Sequence, residues 1–145
     1  GQYDPVITQD NSTIGVPDGG EDGSYYFPDD ITDKTIEWLH AVRAQDSDKP
    51  WFVYYSTGAT HAPHHVAKEW ADKYKGQFDD GWEALRERTF ARQKEAGFLP
   101  PDAELTPIDP TMQKWEDVPE EQRAFQSRLM EVYAGFLEHT DVQYG

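Results

Sequence analysis

Apolar and polar positions along the chain alternate between helical stretches and one unbroken hydrophobic run. From Asp29 or Asp30 to about Gln45, Ile31, Thr35, Trp38, Leu39 and Val42 share one face at helical spacing. A carboxylate at Asp29 or Asp30 would cap the free N–H groups of the first turn, and Asp46-Ser-Asp-Lys-Pro50 ends the helix. The next residues, Trp51, Phe52, Val53, Tyr54 and Tyr55, show no alternation and are too few for an ordinary helix. They predict a buried strand covered on both faces, as in the parallel sheets of α/β proteins. Helix, short turn and buried strand in that order make half of a βαβ unit.

Beyond the strand, Ala67–Tyr74 has the pattern of about two helical turns, ending at Lys75-Gly76. A second long helix is predicted from Glu83 to Ala96 with Gly97 as its C-cap. It is charged almost all round, with Trp82, Leu85, Thr89 and Phe90 as its only apolar stripe, so it should lie on the outside. Pro100, Pro101, Pro107, Pro110 and Pro119 argue against regular structure between Phe98 and Pro119. The last helix, Pro119 to Thr140, repeats Phe125, Leu129, Val132, Tyr133, Phe136 and Leu137 for about five turns and should pack hard against a core. Residues 1–28 hold Asp4-Pro5, Pro17-Asp-Gly-Gly20, Asp22-Gly23 and Phe27-Pro28, and predict irregular backbone. The expected organisation is one partial domain over residues 1–145, with residues 75–118 as a helical and proline-rich insertion and no internal repeat.

Composition narrows the possible partners. With 145 residues, 37% of them hydrophobic and 14% aromatic, the chain has the length and content to bury a core. Its 28 acidic residues against 13 basic give a formal charge of −15, and no segment forms a basic patch. Nucleic acids and anionic membrane surfaces are poor partners, since phosphate recognition needs clustered Lys and Arg. The absence of cysteine removes disulfides, thiolate zinc sites and cysteine nucleophiles. No run approaches the ~20 apolar residues of a membrane helix, and no leader pattern opens the chain. A soluble chain is expected, its compartment open between cytoplasm and periplasm or secretion.

Candidate chemistry concentrates where the predicted strand ends. The loop Ala59-Thr-His-Ala-Pro-His-His65 carries three of the five histidines, and in open α/β sheets ligands collect beyond the carboxyl ends of strands. His61, His64 and His65 do not complete a zinc set, because no Cys or helical His pair joins them. Two alternatives stay open: a solvated turn fixed by Pro63 with incidental histidines, or one imidazole donating to an anionic substrate or protonating a leaving oxygen. His40 and His139 are expected in helix-surface or helix-end packing. Asp10-Asn11 offers hard oxygen donors, but in so turn-rich a segment it suits an Asx-type turn better. Asp79-Asp80-Gly81 suits turn and cap chemistry in the same way. There is no Gly-rich phosphate loop, nucleophile elbow or Ser/His/Asp order.

Several phrases in sequence order resemble one family. Asp29-Asp-Ile-Thr-Asp-Lys-Thr-Ile36, Lys49-Pro-Trp-Phe-Val-Tyr54 and Ala59-Thr-His-Ala-Pro-His-His65 resemble the middle of a type I sulfatase. That is the arylsulfatase branch of the alkaline-phosphatase-like superfamily. The likeness continues through Lys68–Trp82, Arg86-Glu-Arg88 and Met130–Asp141, and so spans most of residues 25–145. It implies an α/β fold: a helix-rich fragment of an alkaline-phosphatase-like core with one buried central strand. It also implies hydrolysis of sulfate esters by a formylglycine beside a divalent metal, usually calcium. The family's substrate-facing His in an Ala-x-His-x-Pro context falls on His61, with His64 as a further candidate for substrate contact.

Departures from the family pattern shape what is expected of these 145 residues. There is no Cys, and none of Ser12, Ser24, Ser47, Ser56 or Ser127 begins Ser-x-Pro-x-Arg, so no nucleophile motif is present. Asp10-Asn11 precedes the His61 strand, whereas the family's metal-binding Asp-Asn pair follows the helix that ends this chain, so the two do not correspond. The expectation is an internal segment of a sulfatase that supplies His61 and scaffold, is inactive alone, and holds no metal or cofactor itself. Its substrate would be a small sulfate ester. Other possibilities are a phosphonate or phosphodiester hydrolase of the same superfamily, or a non-catalytic binding domain. An isolated strand with open edges further predicts self-association, or short first strands that pair locally.

Overall fold

Four helices form where the periodicity places them in a computed structural model that describes residues 1–17 and 25–145. They are α1 (Phe27–Gln45), α2 (Lys68–Asp72), α3 (Gly81–Glu95) and α4 (Glu120–Tyr144). The start of α1 comes earlier than the acidic pair suggests. Tyr26 is its N-cap with no side-chain cap bond, and Pro28 sits in the first turn, where a missing N–H costs nothing. Asp29 and Asp30 then lie inside that turn, where their charge favours the positive end of the helix dipole. Among the described residues, no helix is long and apolar enough to cross a membrane.

The chain divides into two compact units, one of residues Gly1–Ala67 with Phe136–Gly145, the other of Lys68–Gly135. In the first, irregular backbone gives way to a hairpin of β1 (Ile7–Gln9) and β2 (Ser12–Ile14), antiparallel with Ile7 opposite Ile14. Asp10-Asn11 is its two-residue turn, Asp10 taking φ +53° as tight hairpin turns require. The turn formers Pro17-Asp-Gly-Gly20 and Asp22-Gly23 lie largely outside the described residues. Tyr25, Pro28, Thr32, Phe136, His139 and Thr140 form this unit's buried set.

The buried central strand expected at Trp51–Tyr55 is not formed among the described residues. Trp51 is 52% exposed and Phe52 and Tyr54 are each 84% exposed, while Val53 and Tyr55 are half-buried. From Phe52 to Tyr55 exposure alternates residue by residue, with Val53 and Tyr55 on the side against the protein. An apolar run becomes a buried central strand where other strands pair with its edges and layers cover both faces. Among the described residues the sheet is the β1–β2 hairpin, so the arrangement is helix-rich with a small two-stranded sheet. One side chain ties the run down: the Thr32 hydroxyl donates to the Pro28 carbonyl (2.7 Å), so the Tyr55 hydroxyl donates to Thr32 Oγ1 (2.6 Å). The Tyr55 ring also meets Tyr144 edge-on at 5.4 Å.

In the second unit, α2, α3 and α4 up to Gly135 surround Ala71, Phe78, Val118, Ser127 and Glu131. A Cβ on Gly135 would stand 2.7 Å from the backbone of Trp70 and Ala71, so α4 meets α2 at a distance only glycine permits. Gly81, at φ +85°, has the Trp115 ring where its Cβ would be. Residues 98–118 are irregular apart from a single 3₁₀ turn at Trp115–Asp117. Side chains of α3 strap that segment down. Arg86 donates to the Thr106 carbonyl (2.6 Å), Trp82 Nε1 to the Gln113 carbonyl (3.0 Å), and the Glu83 carboxylate accepts the Trp115 N–H (3.1 Å).

The apolar stripe of α4 coincides with its buried face only at Phe136, with Val132 half-buried. Phe125, Leu129, Tyr133 and Leu137 are exposed, whereas Ser127, Glu131, Gly135, Phe136, His139 and Thr140 are buried. Both series follow helical spacing. Close backbone approach at Gly135 and specific polar partners selected the second.

Candidate functional site

Residues 58–65 of the first unit form a loop held at both ends and open at its tip. At the start, the Gln2 side chain lies where a Cβ on Gly58 would be, 2.7 Å from Gln2 Nε2. The His61 N–H closes a turn onto the Gly58 carbonyl at 2.9 Å. At the far end His65 is gripped three ways. Its carbonyl accepts the Tyr26 hydroxyl (2.7 Å), its Nδ1 accepts the Gln2 N–H (3.3 Å), and its ring stacks on Tyr3 (5.6 Å, 23°). The Gln2 carbonyl in turn accepts the Phe27 N–H at 2.9 Å, joining the amino-terminal residues to the start of α1.

His61 stands exposed at the tip. Its Nδ1 lies 2.6 Å from the Ala62 carbonyl, which can only accept, so Nδ1 carries a proton and donates. In the neutral ring Nε2 is then the basic nitrogen; in the imidazolium it becomes a donor to an anion or a leaving oxygen. His65 has the opposite assignment, since its Nδ1 accepts from Gln2. His64 is half-buried, its ring 6.4 Å from that of Phe136 and tilted by 49°. Three histidines close in sequence thus have three surroundings, and His61 alone of them is exposed.

A second group, which the sequence does not single out, lies behind the loop. His139 is 5% exposed, its Nε2 is 3.0 Å from Asp29 Oδ1, and its ring meets Tyr26 edge-on at 4.9 Å. The Tyr25 hydroxyl donates to Asp30 at 2.8 Å. Burial holds both the Tyr25 and Tyr26 phenols protonated well above the ordinary tyrosine range, reinforced by Asp30 for Tyr25 and by Tyr3 and Asp29 for Tyr26. Helical spacing could have placed His139 below Phe136 on α4. Nothing local in the sequence pairs it with Asp29.

The metal implied by the family resemblance finds no assembled donor set here. Among the described residues no three His, Asp or Glu side chains converge to hold an ion, and Asp10-Asn11 serves as the hairpin turn. No chemical step is therefore assigned to a metal on these residues.

The family follows from comparison with known proteins: the chain belongs to the sulfatase family, whose model matches residues 2–144. It is 29% identical over 123 residues to an uncharacterized sulfatase of Schizosaccharomyces pombe, a match covering 84% of this chain and 22% of that protein. It is 25% identical over 143 residues to an arylsulfatase of Klebsiella aerogenes, covering 99% of this chain and 29% of that protein. The chain thus spans between about a fifth and a third of the length of these curated relatives.

Proposed function

We propose that this chain is part of an arylsulfatase-type enzyme with an alkaline-phosphatase-like core, hydrolysing small sulfate esters, and that His61 is its substrate-facing acid. The observation that carries this is the geometry of His61 within a sulfatase-family chain: Nδ1 is engaged by its own loop, leaving Nε2 for chemistry at an exposed tip. In its imidazolium form, Nε2–H donates a proton to the ester oxygen as the S–O bond breaks, so the alcohol or phenol leaves neutral. His64, at the far side of Pro63, is the second candidate for contact with the substrate. The formylglycine nucleophile and the divalent metal, calcium by family resemblance, would come from segments other than residues 1–145. A formylglycine supplies the oxygen that attacks sulfur, and no Cys-x-Pro-x-Arg or Ser-x-Pro-x-Arg occurs here to form one.

Turnover of 4-nitrophenyl sulfate by the full-length enzyme tests the role of His61. His61→Ala should lower kcat by about 10²–10⁴-fold, the usual worth of a general acid. Unchanged turnover with an intact fold would remove His61 from the chemistry. The 145-residue chain by itself should show no turnover.

A further inference from the structure

His61 depends on a carbonyl it does not control. Its tautomer is fixed by the Ala62 oxygen, and the direction of that oxygen is set by how the chain runs between its anchors at Gly58 and His65. The anchor at His65 includes one side-chain hydroxyl, that of Tyr26. Tyr26 is itself confined on two sides. The edge-on ring of His139 lies at 4.9 Å and the tilted ring of Tyr3 at 5.2 Å. His139, 5% exposed, is oriented by Asp29, which sits in the first turn of α1 next to the N-cap Tyr26. Carboxylate, buried imidazole, phenol and loop carbonyl therefore follow one another in contact, ending three residues from Ala62.

We propose that Tyr26, steadied by the Asp29–His139 pair, is the positioning residue of the histidine loop, holding His61 in the Nδ1–H tautomer with Nε2 at the tip. This role presupposes the part given to His61 above. Tyr26 touches no substrate; it acts through His65 on the loop. Because the Tyr26 hydroxyl is the donor and the His65 carbonyl the acceptor, removing that one oxygen takes away one of the three holds on His65 without opening a cavity of any size.

The test is the imidazole nitrogen spectrum of the full-length enzyme, ¹⁵N-labelled at histidine, with the rings neutral. Wild-type His61 should show a protonated Nδ1 and an unprotonated Nε2. Tyr26→Phe should move the tautomer ratio about fivefold toward Nε2–H, the equivalent of one net hydrogen bond. His139→Gln, which keeps a donor toward Asp29 but loses the ring edge against Tyr26, should move it in the same direction by less. The spectra are compared at a temperature where circular dichroism shows each variant folded, so a changed His61 tautomer reports the loop and not unfolding. An unchanged His61 pattern in Tyr26→Phe overturns the proposal, and if that variant fails to fold, an unchanged pattern in His139→Gln does so. Unchanged turnover in His61→Ala would overturn the catalytic role of His61 while leaving the tautomer result intact.

Discussion

Phe52 and Tyr54 stand 84% exposed in the most hydrophobic run of the chain, whereas Ser127, Glu131 and His139 of α4 are each 5% exposed or less. The contrast shows that a side chain's burial follows from the partners its backbone can reach as much as from its own polarity. The Trp51–Tyr55 run has one side chain, Tyr55, anchored to α1, and among the described residues no strand pairs with it. The buried face of α4 is polar but matched. Glu131 accepts the Gly76 N–H (2.8 Å) and an Arg128 N–H (2.7 Å), the Ser127 hydroxyl donates to the Phe78 carbonyl (3.3 Å), and Thr140 donates to Phe136 (3.0 Å). Buried polar groups persist when each has such a partner.

The comparison can be broken at four points. Phe136, fully buried, is the one large apolar side chain on the buried face of α4, and Phe136→Ala should cost about 3–5 kcal/mol in urea unfolding. A loss below about 1 kcal/mol would mean that the face is not packed as described. Next, Glu131→Leu should cost about 1–3 kcal/mol, because the Gly76 N–H is left without its acceptor. A neutral or stabilising result would show that the polar match at this position carries no stability.

The third concerns alkaline pH. Tyr25 and Tyr26 have folded pKa values raised above the ordinary 10.0, chiefly by burial. Above pH ~10 the unfolded chain gives up these protons and the folded chain keeps them. Their contribution is complete below that pH and is lost as pH rises toward the folded values. The midpoint of urea unfolding should therefore fall as pH climbs past ~10, and Tyr26→Phe should flatten the decline. An equal slope in wild type and variant would place the Tyr26 phenol in water. The smallest effect is expected at Phe52→Ser, within about 0.5 kcal/mol in the same unfolding assay. A loss of 2 kcal/mol or more would mean the run is buried after all.

Much of the local structure was legible in the sequence. Ile31, Thr35, Leu39 and Val42 line the half-buried side of α1 as their spacing predicts, although Trp38 on the same face is 47% exposed. Gly97, at φ +76°, follows the C-cap of α3, and Asp10-Asn11 makes a turn. The stripe on α4 misled because helical spacing identifies two candidate faces and hydropathy picks between them without knowing that Gly135 admits the backbone of α2. The site was legible to the same depth. His61 was distinguishable by its setting between Ala59 and Pro63, but its tautomer, the grip of Gln2, Tyr3 and Tyr26 on His65, and the Asp29–His139 pair join residues up to 110 positions apart.

By itself, the sequence determined what short-range chemistry can encode: the helices, the hairpin turn, the histidine loop and, through the order of its phrases, membership of the sulfatase family. Tertiary structure alone decided which face of α4 is buried, what holds each of the three loop histidines, and which nitrogen of His61 keeps its proton. Those outcomes depend on donors, acceptors and backbone approaches supplied from distant parts of the chain, and hydrophobic periodicity does not record them.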